Sequence, residues 1–344
     1  MLLVLSISLD SFGQFNRKSI KRNNKRIATY TGKKKFGREK VYSGVGFSLN
    51  AMNYYGDLAP LPSKFSTDIS FTRPGIGISF FHRFGPRYTL IAQFMYGTLK
   101  GSDSESAKGG FDGEARKGRN LSFRNRIKEI SFTAIFDLFE NDGTYISRVK
   151  WTPYAFVGIG AYLHNPQAQA PKTYLDGTTD PYSGKWVDLQ PLGTEGQYSN
   201  MGVKPYSLLQ VAVPFGVGAR FRINEVLDFW ADIGFRYTFT DYLDDVSKEY
   251  VDLSKLQAKD ASKSKLAEAM SYRTNEVWGD PSANPSAHFY PATSTSGAFY
   301  TWPGYGSVGK DNNRGHSTSK DVYMVTSLKI TYILGATFHR AKFR

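Results

Sequence analysis

Chemistry needs ionisable or nucleophilic side chains in company, and this chain offers few such groupings. The densest is FTDYLDDVS, residues 239–247, which puts Asp241, Asp244 and Asp245 close together. Carboxylates at that density can coordinate a hard cation such as Ca²⁺. The segment lacks the regular ligand spacing and turn glycine of a dedicated calcium loop. The favoured reading is therefore a set of salt-bridge acceptors for Lys or Arg from the loops, and no metal is expected. The five histidines, His82, His164, His288, His316 and His339, show no metal-ligand spacing with one another. There is no G-x-S-x-G or H-E-x-x-H pattern. Without cysteine there is neither a thiolate site nor a disulfide. The expectation is a protein with no catalytic residue and no cofactor; an enzyme acting on lipid or peptide from a barrel rim is a distant third reading.

A second grouping is basic. Residues 17–40, RKSIKRNNKRIATYTGKKKFGREK, hold eleven Lys or Arg against one Glu, a net +10 out of the chain's formal +14. The candidates for partner binding are Arg17, Lys18, Lys21, Arg22, Lys25, Arg26, Lys33, Lys34, Lys35 and Arg38. Such an arm could neutralise nucleic-acid phosphates, anionic lipid head groups or an acidic protein, or stand solvated without a partner. The preceding residues argue against nucleic acid. In MLLVLSISLDSFGQFN a short apolar run, Leu2 to Leu9, precedes small and polar residues. The run is too short to span a membrane and reads as a signal-peptide core removed near Gln14, although it lacks a positive n-region. An exported arm is expected to meet the inner face of a membrane or an acidic partner.

The elements that must position these groups are strands. Twenty-two Tyr, 25 Phe and 33 Gly suit strands and turns, and no run of 18 apolar residues occurs. In residues 226–239 one face carries Leu227, Phe229, Ala231, Ile233, Phe235, Tyr237 and Phe239; the other carries Asp228, Trp230, Asp232, Gly234, Arg236 and Thr238. Residues 209–221 alternate in the same way. Six further segments begin near Val41, Phe71, Tyr88, Leu121, Thr152 and Asp321. Each runs roughly 10–15 residues, enough to cross an outer membrane when tilted.

Short connections around Phe84–Arg87 and Ile223–Val226 contrast with long ones elsewhere. That asymmetry predicts an all-β, eight-stranded antiparallel outer-membrane barrel with long extracellular loops and both termini periplasmic. The alternative of a soluble lipocalin-type barrel would put the apolar face inside. Here the polar, Gly-rich face would line the lumen. Arg83, Arg220, Arg236 and Lys329 stand there against Glu129, Asp137, Asp228 and Asp232, a balanced set able to pair internally. A barrel of this size is filled by its own side chains, so a plugged, monomeric barrel is expected. Tyr88, Tyr96, Trp151, Tyr237, Phe239 and Tyr332 suit its interfacial aromatic girdles. The predicted organisation is a signal peptide at 1–14, the basic arm at 15–40, the barrel at 41–335 and a periplasmic tail at 336–344. Long loops fall at about 53–70, 101–120, 165–205 and 241–320. In the last of these, residues 253–272 are rich in helix formers, with Leu253, Leu256, Leu266, Ala267 and Met270 as candidate buried positions.

Four strings, NYYGDLAP (53–60), RNLSFRNR (119–126), LQPLGTEGQ (189–197) and FTDYLDDVS (239–247), resemble a Bacteroidota outer-membrane barrel family typified by PorG, a component of the type IX secretion system. The similarity runs from about Val41 to Leu334. It implies a non-enzymatic accessory that ties a periplasmic lipoprotein ring of PorK and PorN type to the outer membrane, with a role in gliding motility. The alternative is a stand-alone surface barrel whose loop cap binds a ligand or partner. The basic arm and the terminal HRAKFR depart from the family pattern. Within the strings, Gly193 and Gly196 permit backbone shapes other residues avoid and Pro191 fixes a bend. Together with Glu195 and the Asp241, Asp244 and Asp245 cluster, they are expected to order the two longest loops into one cap.

Overall fold

The computed structural model describes residues 36–37, 40–59, 71–107, 111–293, 295–303, 312–318 and 320–334. The expectations for residues 1–14, for the ten basic candidates from Arg17 to Arg38 and for the tail at 336–344 lie outside the described residues.

Among the described residues twelve strands follow one another: β1 (Tyr42–Tyr55), β2 (Arg73–Arg83), β3 (Tyr88–Ser102), β4 (Ser122–Asp137), β5 (Trp151–Leu163), β6 (Pro166–Gln169), β7 (Trp186–Asp188), β8 (Leu209–Arg222), β9 (Leu227–Thr238), β10 (His288–Tyr290), β11 (Phe299–Thr301) and β12 (Val322–Leu334). Eight of them, β1 to β5, β8, β9 and β12, pair antiparallel in sequence order, and β12 returns to pair with β1. The sheet therefore closes with no free edge around the barrel. The connections 84–87, 138–150 and 223–226 gather at one end; the other four, all longer, gather at the opposite end. At the turn after β8, Asn224 Oδ1 accepts from the Val226 and Leu227 amides at 2.9 and 2.8 Å, holding the chain in a tight reversal.

Period-two alternation decides which face meets which medium. Val45, Phe47 and Leu49 on β1, and Ile76, Ile78 and Phe80 on β2, all point outward and are 43–61% exposed. Their neighbours Ser48, Asn50, Ser79 and Phe81 are buried in the lumen. This is the inverse of a soluble barrel, so the lipocalin alternative fails: the apolar exterior requires lipid. The chain is an outer-membrane-type β-barrel. No helix among the described residues is long and apolar enough to cross a membrane. Tyr88, Trp151 and Tyr332 are exposed near the short-turn end, and Tyr96, Tyr237 and Phe239 near the other. Tyr88 and Tyr96 stand eight residues apart on β3, about 26 Å of strand and roughly 20 Å of membrane height at ordinary tilt.

The lumen is packed. Trp230 is fully buried, with its ring 5.7 Å from Phe81 and 5.5 Å from Tyr154, and the Arg220 guanidinium lies over it at 5.0 Å. Gly216 and Gly234 face each other across β8 and β9, and the Phe156 ring covers both. A Cβ at either would stand only 2.7 or 2.5 Å from that ring, which explains glycine on this wall. A polar cavity of about 30 Å³ remains among Gln93, Ser131, Asp232, Arg236, Ser327 and Lys329, room for about two waters.

The lumen charges do not pair as a closed set of four against four. Asp137 Oδ2 takes both Arg83, at 2.9 Å, and Arg220, at 2.5 Å. Glu129 faces Arg236 at 3.6 Å and accepts from the Tyr323 hydroxyl at 2.7 Å. Asp232 accepts from Tyr154 rather than from a cation, and Lys329 donates to Gln93 at 3.1 Å. Asp228 is held by a residue outside the predicted set, Arg148, at 2.7 Å. Arg148 comes from the 138–150 connection and also donates to the carbonyls of Asn224, Glu225 and Leu227. It closes the short-turn end with a buried guanidinium.

Candidate functional site

Above the opposite end the two longest connections, 164–208 and 239–321, fold into a cap with its own apolar core. Leu189, Leu192, Tyr250, Leu253, Leu256, Leu266, Ala267, Met270, Tyr272, Tyr290 and Phe299 pack together there. Residues 253–272 form two short 3-10 turns and one helix, Ser264–Ser271, which buries Leu266, Ala267 and Met270. The Asp252 and Asp260 side chains accept from amides two residues on, at 3.1 Å each, and start the two turns. A two-stranded hairpin, β10 with β11, packs Tyr290 and Phe299 into that core and exposes Phe289 and Tyr300 on its other face.

The cap meets the barrel at one polar junction, and Arg314 is its hub. This side chain is 2% exposed and sits 2.9 Å from Glu195 Oε1 and 3.7 Å from Asp245 Oδ2. It also donates to the Asp245 carbonyl. Glu195 Oε1 in turn accepts from the amides of Ser247 and Lys248 at 2.9 and 3.2 Å. Thr194 and Tyr206 donate to the two oxygens of Asp245. One carboxylate from the 164–208 connection and one guanidinium from the 239–321 connection thus lock those two loops together. Gly193 and Gly196, with φ of 65° and 82°, turn the chain so that Glu195 points inward. Pro191 precedes that turn, and its carbonyl accepts from the Lys259 amide at 2.9 Å. Asp245 itself has φ 67°, a left-handed conformation that a short acidic side chain tolerates.

The shorter loops join the same junction. Arg119 grips Asp103 with two bonds, at 2.7 and 2.8 Å, and reaches the carbonyls of Asp57 and Arg314. Asn125 donates to the Leu243 carbonyl at 2.7 Å. The Tyr54 hydroxyl, at the end of β1, lies 2.7 Å from both Asp244 Oδ2 and Asp321 Oδ1. A phenol has one proton to donate, so the second contact requires a proton on one carboxyl. Burial pushes both carboxyls well above the usual range, and the charge of Asp321 raises Asp244 further.

The cluster at 241–245 therefore divides among different partners. Asp241 accepts from the Ser247 hydroxyl at 2.7 Å, Asp244 shares the Tyr54 hydroxyl, and among the described residues only Asp245 faces a guanidinium. Among the described residues, no three His, Asp or Glu side chains converge in a way that would hold a metal ion. The reading as acceptors for loop cations applies to one of the three. Arg314, Arg119 with Asp103, and Asp321 were missed because nothing local marks them.

The junction should respond to pH. Burial raises Asp241 and Asp245 to about 6, and Glu268 in the helix to about 8. Carboxyls raised on folding stabilise the cap fully below their unfolded pKa, near 4, and lose that contribution as pH rises through 6 and then 8. Hydrogen exchange in residues 239–272, corrected for intrinsic rates, is expected to be slower at pH 5.5 than at pH 8.5. Equal protection at both values, or the reverse order, would reject this account.

A domain family of unknown function, DUF6089, matches residues 36–180, which take in the first five barrel strands. No curated protein matches the chain. Among solved structures, a major outer membrane protein from Thermus thermophilus is similar with a TM-score of 0.35 and 11% identity, covering 85% of this chain and 99% of that one. Ail, the attachment invasion locus protein of Yersinia pestis, crystallised with a heparin analogue, gives 0.32 and 7%, covering 86% and 99%. The N-terminal β-barrel domain of Pseudomonas aeruginosa OprF gives 0.30 and 9%, covering 86% and 99%.

Proposed function

We propose that the chain is a non-enzymatic outer-membrane barrel that works through its surfaces, as an anchoring component of a type IX protein secretion and gliding machine. The observation that carries the surface role is the filled lumen: Trp230, Arg83 and Tyr154 are buried within it, and among the described residues side chains occupy the interior. The secretion role is supported by the resemblance of four strings to the PorG-typified family. Those strings are not scattered: Tyr54 and Asp57, Arg119 and Asn125, Thr194 and Glu195, and Asp241 to Ser247 all belong to the one junction described above. The resemblance therefore bears on a whole structural unit. In this reading the long loops face the exterior and the short turns the periplasm. The basic arm then lies on the side where a lipoprotein ring of PorK and PorN type would dock.

A tagged pull-down from detergent-solubilised outer membranes, with mass spectrometry, tests this. Ring proteins of the PorK and PorN type should be recovered with the full chain and lost on deletion of residues 17–40. A barrel that comes out alone rejects the anchoring role. The cap then becomes the working surface, a second reading that the exposed Phe289 and Tyr300 of the β10–β11 hairpin favour.

A further inference from the structure

The outward face of β4 changes character along its length. Phe136, Phe132 and Ile130 are exposed lipid-facing side chains, and the next three outward positions are Lys128, Arg126 and Arg124. Across the ladder, Lys128 faces Tyr96, Arg126 faces Thr98 and Arg124 faces Lys100. Four cations thus stand on two adjoining strands, immediately beyond the apolar belt at the long-loop end.

Like charges directly opposite on a sheet repel unless something compensates them. The upper pair is compensated within the protein: Lys100 meets Glu105 at 2.6 Å, while Arg124 lies 3.7 Å over the Trp186 ring and donates to Gln167 at 3.0 Å. Arg126 and Lys128, two residues apart on the same face of β4 and opposite Thr98 and Tyr96, lack such compensation. Among the described residues neither Arg126 nor Lys128 makes an ion pair, and both are exposed. On the β5 side Lys128 faces Leu163, and β5 ends there, leaving Arg126 beside a gap before β6.

Their height identifies the missing anion. Lys128 is two residues, about 7 Å of strand, from Ile130 in the lipid-facing row. Side chains of this length reach to the level of the head groups, and Tyr96 beside Lys128 is an interfacial aromatic. We propose that Arg126 and Lys128, with Arg124 and Lys100 above them, form a binding site for the phosphate of a lipid head group in the leaflet at the long-loop end. Continuity with the lipid-facing surface distinguishes this from a site for a soluble anion. Where that end faces the exterior, as proposed above, the lipid is a phosphorylated glycolipid, but the binding itself does not depend on orientation.

Native mass spectrometry of the full barrel in detergent, mixed with lipid A or with dephosphorylated lipid A, tests the proposal. The intact barrel should retain lipid A and not its dephosphorylated form. R126Q/K128Q should retain about tenfold less, while keeping the heat-modifiable mobility of a folded barrel. Arg87→Gln, at the short-turn end, should bind like the unaltered chain. The site is overturned if R126Q/K128Q retains as much lipid A as the unaltered barrel, or if both lipid forms bind alike. It is equally overturned if inorganic phosphate alone, without acyl chains, binds the barrel as tightly as lipid A does, since the anion would then be a soluble one. Should R126Q/K128Q fail to fold, R126K/K128R keeps the charges and must retain the lipid for the proposal to stand.

Discussion

Arg314→Met is expected to release the cap while leaving the barrel closed. Arg314 is 2% exposed and is the cation shared by Glu195 and Asp245. Its backbone carbonyl also accepts from Arg119, so the 312–318 segment is held at both levels. Removing one partner of a buried pair strands the other charge, at a cost of about 3–5 kcal/mol. Here two carboxylates are stranded. That loss exceeds what a cap of loops with a small separate core can absorb, whereas the barrel ladder has no contact that depends on it. Limited proteolysis should cut R314M within residues 189–318 at least tenfold faster than the unaltered protein, with no change in heat-modifiable gel mobility. E195Q/R314M should recover part of the resistance, because replacing both partners removes the stranded charge at Glu195. Loops as resistant in R314M as in the unaltered chain would show that apolar packing alone holds the cap.

The second large effect belongs to the barrel interior. Asp137 is fully buried, and a single oxygen, Oδ2, serves both Arg83 and Arg220. Asp137→Ala would take that carboxylate from two guanidiniums, Arg220 over the Trp230 ring and Arg83 over the Tyr42 ring. Among the described residues Arg83 would keep as hydrogen-bond acceptors the carbonyls of Pro86 and Asn141. The expected loss is again about 3–5 kcal/mol, read as a lower urea midpoint for unfolding from lipid vesicles. R83M/D137L/R220M, which removes all three charges, should lie closer to the unaltered midpoint than D137A does. An unchanged midpoint in D137A would mean that water or a neighbour replaces the carboxylate.

The barrel was legible because its signal is local. A strand writes lumen and lipid on alternate residues, so Asp228, Trp230 and Asp232 against Phe229, Ala231 and Ile233 reveal both faces without knowledge of any neighbour. Connection lengths then separate the two ends. The helix-forming stretch at 253–272 was legible for the same reason, although the cap divides it into short turns and one helix.

Pairing across the fold has no local period. Arg148 is 80 residues from Asp228, and Arg314 is 119 from Glu195. Arg148 and Arg314 both lie in irregular connections, where neither a face nor a spacing distinguishes a buried arginine from a solvated one. The sequence alone determined that eight alternating strands would close around a polar, side-chain-filled interior, since hydrophobic burial acts on each strand separately. Only the tertiary structure decided which charges meet, that the two longest connections weld into one cap through Arg314, and that the cations of β3 and β4 line up at the membrane surface. Electrostatic pairing depends on distance in space, and that distance is set by the register of strands and loops far apart in the chain.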